Sequence, residues 1–340
     1  MFRSLIVTTG ILAAGVLAAI APTNIEAATL MRISSWAPPT HPQNHLVFPG
    51  WGKRISKATG GNVTTKIEYN LASPLKQFEL VRDGVADAAW IFHGYNTRFV
   101  ASQAIELPGL GATAEAASVA SQKAFESELY KAKEHRGVVV ATMFSHGPAV
   151  IQTKKKIMSL GDLRGMKIRV PGGVGSLVGR ALGVTAVKLP APKVYEALSS
   201  RVADGIFMPV ETQKTFRLKE VTPFVTFMPG GLYYGSFAII MNPGFLKKLS
   251  ASDRAAVMGT TGTKLASHVG KIWAHGDVVG LADAKKFGSK IQTASASMYS
   301  EYKGITAKLE ADWIARVGKR GVDGRKALRI IRSTVASYGK

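Results

Sequence analysis

Apolar and polar positions along this chain fall into two rhythms that take turns. Short runs of period-two alternation, or of continuous apolar residues, are interleaved with stretches of helical period, and Gly, Pro and Asn punctuate the joins. Period two marks strands and period 3.6 marks amphipathic helices. Residues 31–35 read as a strand, followed by a turn-rich stretch over 36–44. Residues 46–58 read as a helix crossed by Pro49 and closed by Gly60-Gly61. Residues 62–69 alternate as a strand. Ser73-Pro74 opens a helix that runs to Asp83-Gly84, with the proline at the first helical position. Residues 86–92 then form a buried strand, and 114–135 a long helix.

Strands are expected at 137–144, 149–153, 166–170, 186–189, 203–208, 224–227 and 233–241, and helices at 176–182 and 193–200. Ser159-Leu160-Gly161-Asp162 is a capping-box pattern for a short turn. Beyond residue 250 the pattern is helical over 251–287, 298–317 and 325–338, with kinks expected in the first at Gly259, Gly262, Gly270, Gly276 and Gly280. Repeated strand–helix–strand order predicts an α/β fold with helices on both sheet faces.

The first residues carry a different signal. Arg3 precedes an uncharged apolar run over 5–20, and the small residues Ala27 and Ala28 follow. Basic, apolar, then small is the order of a secretory signal, so residues 1–27 are expected to be removed and the protein to work in the periplasm. The run is too short and too weakly flanked for a membrane anchor, which needs about 20 apolar residues. What remains, roughly 310 residues, suits one large domain or two medium ones.

Composition narrows the chemistry. The chain has no Cys, which excludes a disulfide scaffold, a thiol nucleophile and Cys-ligated metal. Gly 35 and Pro 15 in 340 residues stay below the level that signals disorder. The net charge of +22 raises nucleic-acid binding. The basic residues are scattered, with Lys154-Lys155-Lys156 and the 319–332 tail the densest, and export separates the chain from cytoplasmic DNA, so no nucleic-acid partner is expected. A field of this sign draws anionic solutes.

Catalytic and cofactor patterns fail on spacing. Gly173-Val174-Gly175 is followed by Gly179, one position late for a dinucleotide loop. His41 and His45 are separated by Pro42, and His93, His146, His268 and His275 are dispersed, which gives no metal ligand set. No G-x-S-x-G elbow occurs. Neither a catalytic residue nor a cofactor is therefore expected.

Ligands of open α/β sheets bind beyond the carboxyl ends of strands. Those ends deliver Trp36, then Trp90, Phe92 and His93, then Arg169 ahead of Pro171-Gly172-Gly173, then Phe207 and Met208. The alternation of Lys167-Ile168-Arg169-Val170 by itself puts Arg169 in solvent, and each aromatic could be ordinary core. Together they make a candidate site in which a guanidinium fork holds a carboxylate and aromatic faces cover an apolar body.

The run Ser159-Leu160-Gly161-Asp162-Leu163-Arg164-Gly165-Met166-Lys167-Ile168-Arg169-Val170-Pro171 resembles the signature of the DctP-type solute receptors of TRAP transporters. Leu182-Gly183, Val194-Tyr195-Glu196-Ala197-Leu198, Ala203-Asp204-Gly205, Thr59-Gly60-Gly61-Asn62-Val63 and the stretch 80–88 follow that family's order. The resemblance implies two α/β domains joined by a hinge, with a long helix shared between them. Residues 28–146 with 235–274 would make the first domain, and 147–234 with 275–340 the second. It implies a ligand in the cleft, its carboxylate on Arg169, and domains that close and deliver the cargo to integral-membrane permease subunits, the receptor being a monomer or a dimer. Two departures bear on the cargo. The family's D-G-Q-E-N-P reads Asp204-Gly205-Ile206-Phe207-Met208-Pro209, and Ala149 stands near the place of a second Arg in the sialic-acid branch. Both remove polar contacts, which favours a small organic anion with one carboxylate and an aromatic or branched body over a sugar acid or dicarboxylate. The rival readings are an exported enzyme on a similar scaffold and a basic protein for anionic polymers or membranes.

Overall fold

The computed structural model describes residues 28–338; the expected signal, residues 1–27, lies outside them. Eleven strands make two mixed sheets. They are β1 (Thr29–Ser35), β2 (Val63–Tyr69), β3 (Ala88–Phe92), β4 (Val139–Ser145), β5 (Ala149–Thr153), β6 (Lys167–Val170), β7 (Thr185–Lys188), β8 (Gly205–Pro209), β9 (Phe224–Phe227), β10 (Ser236–Met241) and β11 (Lys290–Thr293). The first sheet runs β2-β1-β3-β10-β4 and the second β11-β9-β5-β8-β6-β7. β1 pairs in parallel with β2 and β3, while β10 is antiparallel to β3 and β4. In the second sheet β6 is parallel to β7 and β8, and β5 runs antiparallel to β8 and β9.

The chain passes between sheets at His146-Gly147-Pro148 and returns at Tyr233-Tyr234-Gly235. These crossings lie side by side: Ala149 N–H donates to Tyr233 O at 2.9 Å and Leu232 N–H to Ala149 O at 3.0 Å. A third connection is the helix Thr263–Phe287, 25 residues long. Two of its glycines let it lie against both halves. A Cβ on Gly270 would stand 2.5 Å from Glu115 Cα, beside the helix Ala114–Ser127 that packs on the first sheet. A Cβ on Gly280 would stand 2.5 Å from Glu211 Cα, just past β8 of the second sheet. Backbone-to-backbone contact this close admits only glycine.

The sequence pattern misplaces several helix breaks. The helix expected over 251–287 is two, Ala251–Gly259 and Thr263–Phe287. Between them Gly262 turns with φ +69, its N–H donating to Ala141 O at 2.8 Å, and Thr260 Oγ1 accepts the Trp51 indole N–H at 2.9 Å. The helix expected over 114–135 ends at Ser127, where the buried Glu128 carboxylate takes Lys131 Nζ at 2.8 Å and Asp323 N–H at 3.0 Å. The stretch 298–317 divides into Ala296–Thr306 and Lys308–Gly318. β11 was not expected, because four half-polar residues after a glycine carry too little periodicity to read as a strand. The closing helix Gly324–Tyr338 packs on Ala114–Ser127, so the tail ends against the first sheet's side.

The tight seam of the long helix gives a paired prediction. Gly270→Ala forces a methyl into backbone and should cost about 1–3 kcal/mol, lowering the melting temperature by several degrees. Gly276→Ala meets only ordinary contact, Glu211 Cβ at 3.7 Å, and should be neutral or stabilising through helix propensity. Thermal denaturation of the two variants checks the difference; equal effects would contradict the packing.

Candidate functional site

Between the sheets the strand ends enclose a small cavity of about 40 Å³. One end is set by Arg169. β6 lies between β7 and β8, and Arg169 is 2 % exposed, so the solvent-facing reading of its alternation is corrected. Its Nε donates to Leu189 O at 3.0 Å. Among the described residues no carboxylate stands within ion-pair distance of its guanidinium. Tyr95 and Tyr233 flank it. Burial pushes both phenols up, and the guanidinium works against that rise.

Aromatic rings make the rest of the wall. Trp36 stacks on Trp90 with centroids 3.9 Å apart and planes 11° from parallel. Trp36 Nε1 donates to Trp90 O at 3.3 Å and Trp90 Nε1 to Ser35 Oγ at 2.9 Å, so both indoles are fixed. Phe237 of β10 continues the stack at 5.8 Å from Trp90, and Trp273 from the long helix closes the side at 5.6 Å from Phe237. Phe92 meets Tyr95 edge-on at 4.8 Å. The two halves touch across the cavity. Tyr95, after β3, accepts the Ala191 N–H, after β7, at 2.8 Å, and Glu106 accepts the N–H groups of Val174 and Ser236 at 3.0 and 3.1 Å. Gly172 is required beside this seam: with φ +108, a Cβ there would stand 2.0 Å from Gly94 O.

Of the residues expected from sequence, Arg169, Trp36, Trp90, Phe92 and Met208 line the cavity. His93 and Phe207 do not. Successive side chains of a strand point to opposite faces. With Trp90 and Phe92 facing the cavity, His93 turns back to Ser236 Oγ at 2.8 Å and His135 Nε2 at 2.9 Å. With Met208 facing in, Phe207 joins the core beneath. Sequence reasoning missed Tyr95, His146, Glu211, Tyr233, Phe237 and Trp273. Phe237 was within reach, since it lies within the strand expected over 233–241. Trp273 and Glu211 come from the long helix and from beyond a strand end, where period says nothing about a cleft.

The buried titratable groups predict a stability profile. Burial pushes Glu106 and Glu211 up to about 8 and Asp277 up to about 7. Each holds its proton more tightly folded than unfolded, so its contribution is complete below the unfolded value and is lost as pH rises through the folded one. Burial pushes His41 and His135 down to about 3 and His146 to about 4. Their contributions are present above the ordinary histidine value and are lost as pH falls through it. Between about pH 4.5 and 6.5 the two sets largely offset each other, and above about pH 6.5 only the acids change, so the melting temperature should fall as pH rises from about 6.5 to 8. A flat profile from pH 6 to 8.5 would contradict the burial of the three acids.

Comparison with known proteins agrees with the architecture. Residues 33–307 match the model of the bacterial extracellular solute-binding proteins of family 7, DctP. A TRAP periplasmic solute-binding protein of Bordetella bronchiseptica, solved with (R)- and (S)-mandelate, is 33 % identical, superposes with a TM-score of 0.88, and is covered over 99 % of its length by 91 % of this chain. A marine-metagenome TRAP solute-binding protein from an unidentified microbe, specific for aromatic acids and solved with metahydroxyphenylacetate, is 32 % identical with a TM-score of 0.85, covering 92 % of this chain and 99 % of its own. The outer membrane transporter protein TsaT of Comamonas testosteroni is 28 % identical over 99 % of both chains. With a match that spans most of its length and a shared two-sheet fold, this chain belongs to family 7 of the bacterial extracellular solute-binding proteins, the TRAP-type solute receptors.

Proposed function

We propose that this receptor captures an aromatic monocarboxylate in the periplasm, with the carboxylate on Arg169 and the ring against the Trp36–Trp90 stack, and hands it to TRAP permease subunits in the membrane. One observation carries the reading: a guanidinium 2 % exposed, with no acidic partner among the described residues, ends a cavity whose other walls are mostly aromatic. A buried charge needs a partner. A carboxylate supplies it with two parallel hydrogen bonds, and the rings replace water around the apolar body. The mandelate and metahydroxyphenylacetate held by the related receptors are acids of this kind.

In this proposal residues 1–27 direct export and the two halves pivot at 146–148 and 232–235, while the helix Thr263–Phe287 stays in contact with both. The bonds that Ala191 N–H donates to Tyr95 and Val174 N–H donates to Glu106 then belong to the closed form. An enzyme reading gains no support from the lining, which among the described residues contains no Ser, Thr or Cys.

Calorimetric titration of the exported form tests the proposal with benzoate, phenylacetate and mandelate against succinate and glucuronate. One saturable site for the aromatic acids is expected, with the others at least tenfold weaker. Arg169→Ala should weaken binding by about thirtyfold or more, as expected when a buried charge pair loses one side. Arg169→Lys should restore only part, since an ammonium cannot reproduce the fork. Binding confined to the dicarboxylate or sugar acid would refute it.

A further inference from the structure

Among the described residues the cavity has one acidic side chain in its lining, and that acid is not the partner of Arg169. Glu211 lies just past β8, is 4 % exposed, and lines the cavity together with Arg169. Its Oε2 accepts the hydroxyl of Thr215, one turn on. Its backbone N–H donates to Asp277 Oδ1 at 3.4 Å, and Gly280 of the long helix presses on its Cα. The residue is thereby fixed in place. Oε1 makes no hydrogen bond among the described residues.

A carboxylate in a chamber built for an anion would repel its cargo. Burial, with Asp277 beside it, favours the protonated form of Glu211, and a protonated carboxyl offers one O–H donor and a carbonyl acceptor. That pair of functions complements an alcohol or phenol, and it offers no positive charge to balance a second carboxylate. Each of the other polar groups in the wall has at least one partner within the protein. The Tyr95 and Tyr233 hydroxyls are bonded to Ala191 N–H and Phe207 O. His146 bonds Gly147 O and feels the charge of Arg169, which places it at the carboxylate end. His41 accepts Gln43 N–H at 3.1 Å and is packed between the rings of Trp90, Trp273 and Phe216.

We infer that Glu211 determines specificity for a hydroxyl carried on the body of the aromatic acid, and rejects a second carboxylate at that place. The inference rests on the receptor reading above and adds to it the substituent and the residue that reads it. A hydroxyl that reaches Oε1 gains a hydrogen bond there. An unsubstituted ring leaves the carboxyl unpaired there, a loss larger than the bond's own net worth.

The test is a set of titrations at pH 7 with benzoate against 3- and 4-hydroxybenzoate, phenylacetate against mandelate, and isophthalate as the dicarboxylate. They are run on the wild type, Glu211→Gln and Glu211→Leu. The readout is the ratio of affinities within each pair, which a general loss of fold or closure leaves alone. At least one hydroxylated acid should exceed its parent by about tenfold in the wild type. Glu211→Gln should keep most of that ratio, since an amide also donates and accepts, and Glu211→Leu should bring it near one. Isophthalate should bind the wild type at least tenfold more weakly than benzoate. A hydroxyl preference that survives in Glu211→Leu, or is missing from the wild type, overturns the inference and leaves the receptor reading intact. Failure of every aromatic acid to bind the wild type overturns both. If Glu211→Leu does not fold, the wild-type and Glu211→Gln ratios decide.

Discussion

A guanidinium cannot leave water without something to replace its hydration, and the structure is arranged around one that has nearly left it. Arg169 stands on β6, inside a six-stranded sheet, with one backbone carbonyl on its Nε. Taking an ion of this size out of water costs several kcal/mol even after the protein relaxes. An internal acid would offset that cost permanently and leave nothing for a ligand to gain. Among the described residues none reaches Arg169; the acid that shares its cavity, Glu211, accepts the Thr215 hydroxyl with its carboxyl and donates its backbone N–H to Asp277. The charge is therefore free to be matched by an incoming anion. The same burial that makes the charge costly makes its pairing strong.

The rest of the fold positions that charge and its cover. Strand ends from both sheets converge on the cavity, which needs the chain to cross between sheets and the crossings to lie together. The Tyr233–Ala149 ladder ties two of them, and the long helix lies against both sides through Gly270 and Gly280. Rings are suited to the remaining walls because they are rigid and large, and they hide a bound acid from water at small entropic cost. The indole N–H groups of Trp36 and Trp90 are satisfied within the protein, so the rings turn apolar faces to the cavity.

Much of this was legible in the sequence, for physical reasons that differ from residue to residue. The strand–helix order gave the α/β class because each segment must cover the apolar face of its neighbour. Arg169 stood out through its place at a strand end and through the motif around it. Its burial was not legible, since period two cannot distinguish a strand open on one face from one covered on both. His93 and Phe207 were taken with their neighbours although a strand can present only alternate residues to one side. Applying that alternation strictly from Trp90 and Met208 would have removed them. Trp273 carries no local signal, because only the tertiary path of the long helix brings it to the cavity, and Glu211 lies two residues past the end of β8, beyond the reach of the strand's alternation. The break at Gly262 depends in the same way on a hydrogen bond to Ala141, 121 positions away in the chain.

The central claim, that Arg169 is buried for the ligand and against the stability of the empty protein, has a direct thermodynamic test. Arg169→Met keeps the volume and removes the charge. Melting temperatures of wild type and variant, each measured alone and at 1,000 times the wild-type Kd of its best aromatic acid, separate the two roles. The account predicts that the variant alone melts at or above the wild type. It also predicts that the ligand raises the wild type by an amount corresponding to about 4 kcal/mol and the variant hardly at all. A variant that melts well below the wild type while keeping the ligand's stabilisation would show Arg169 to be structural, and would contradict the account.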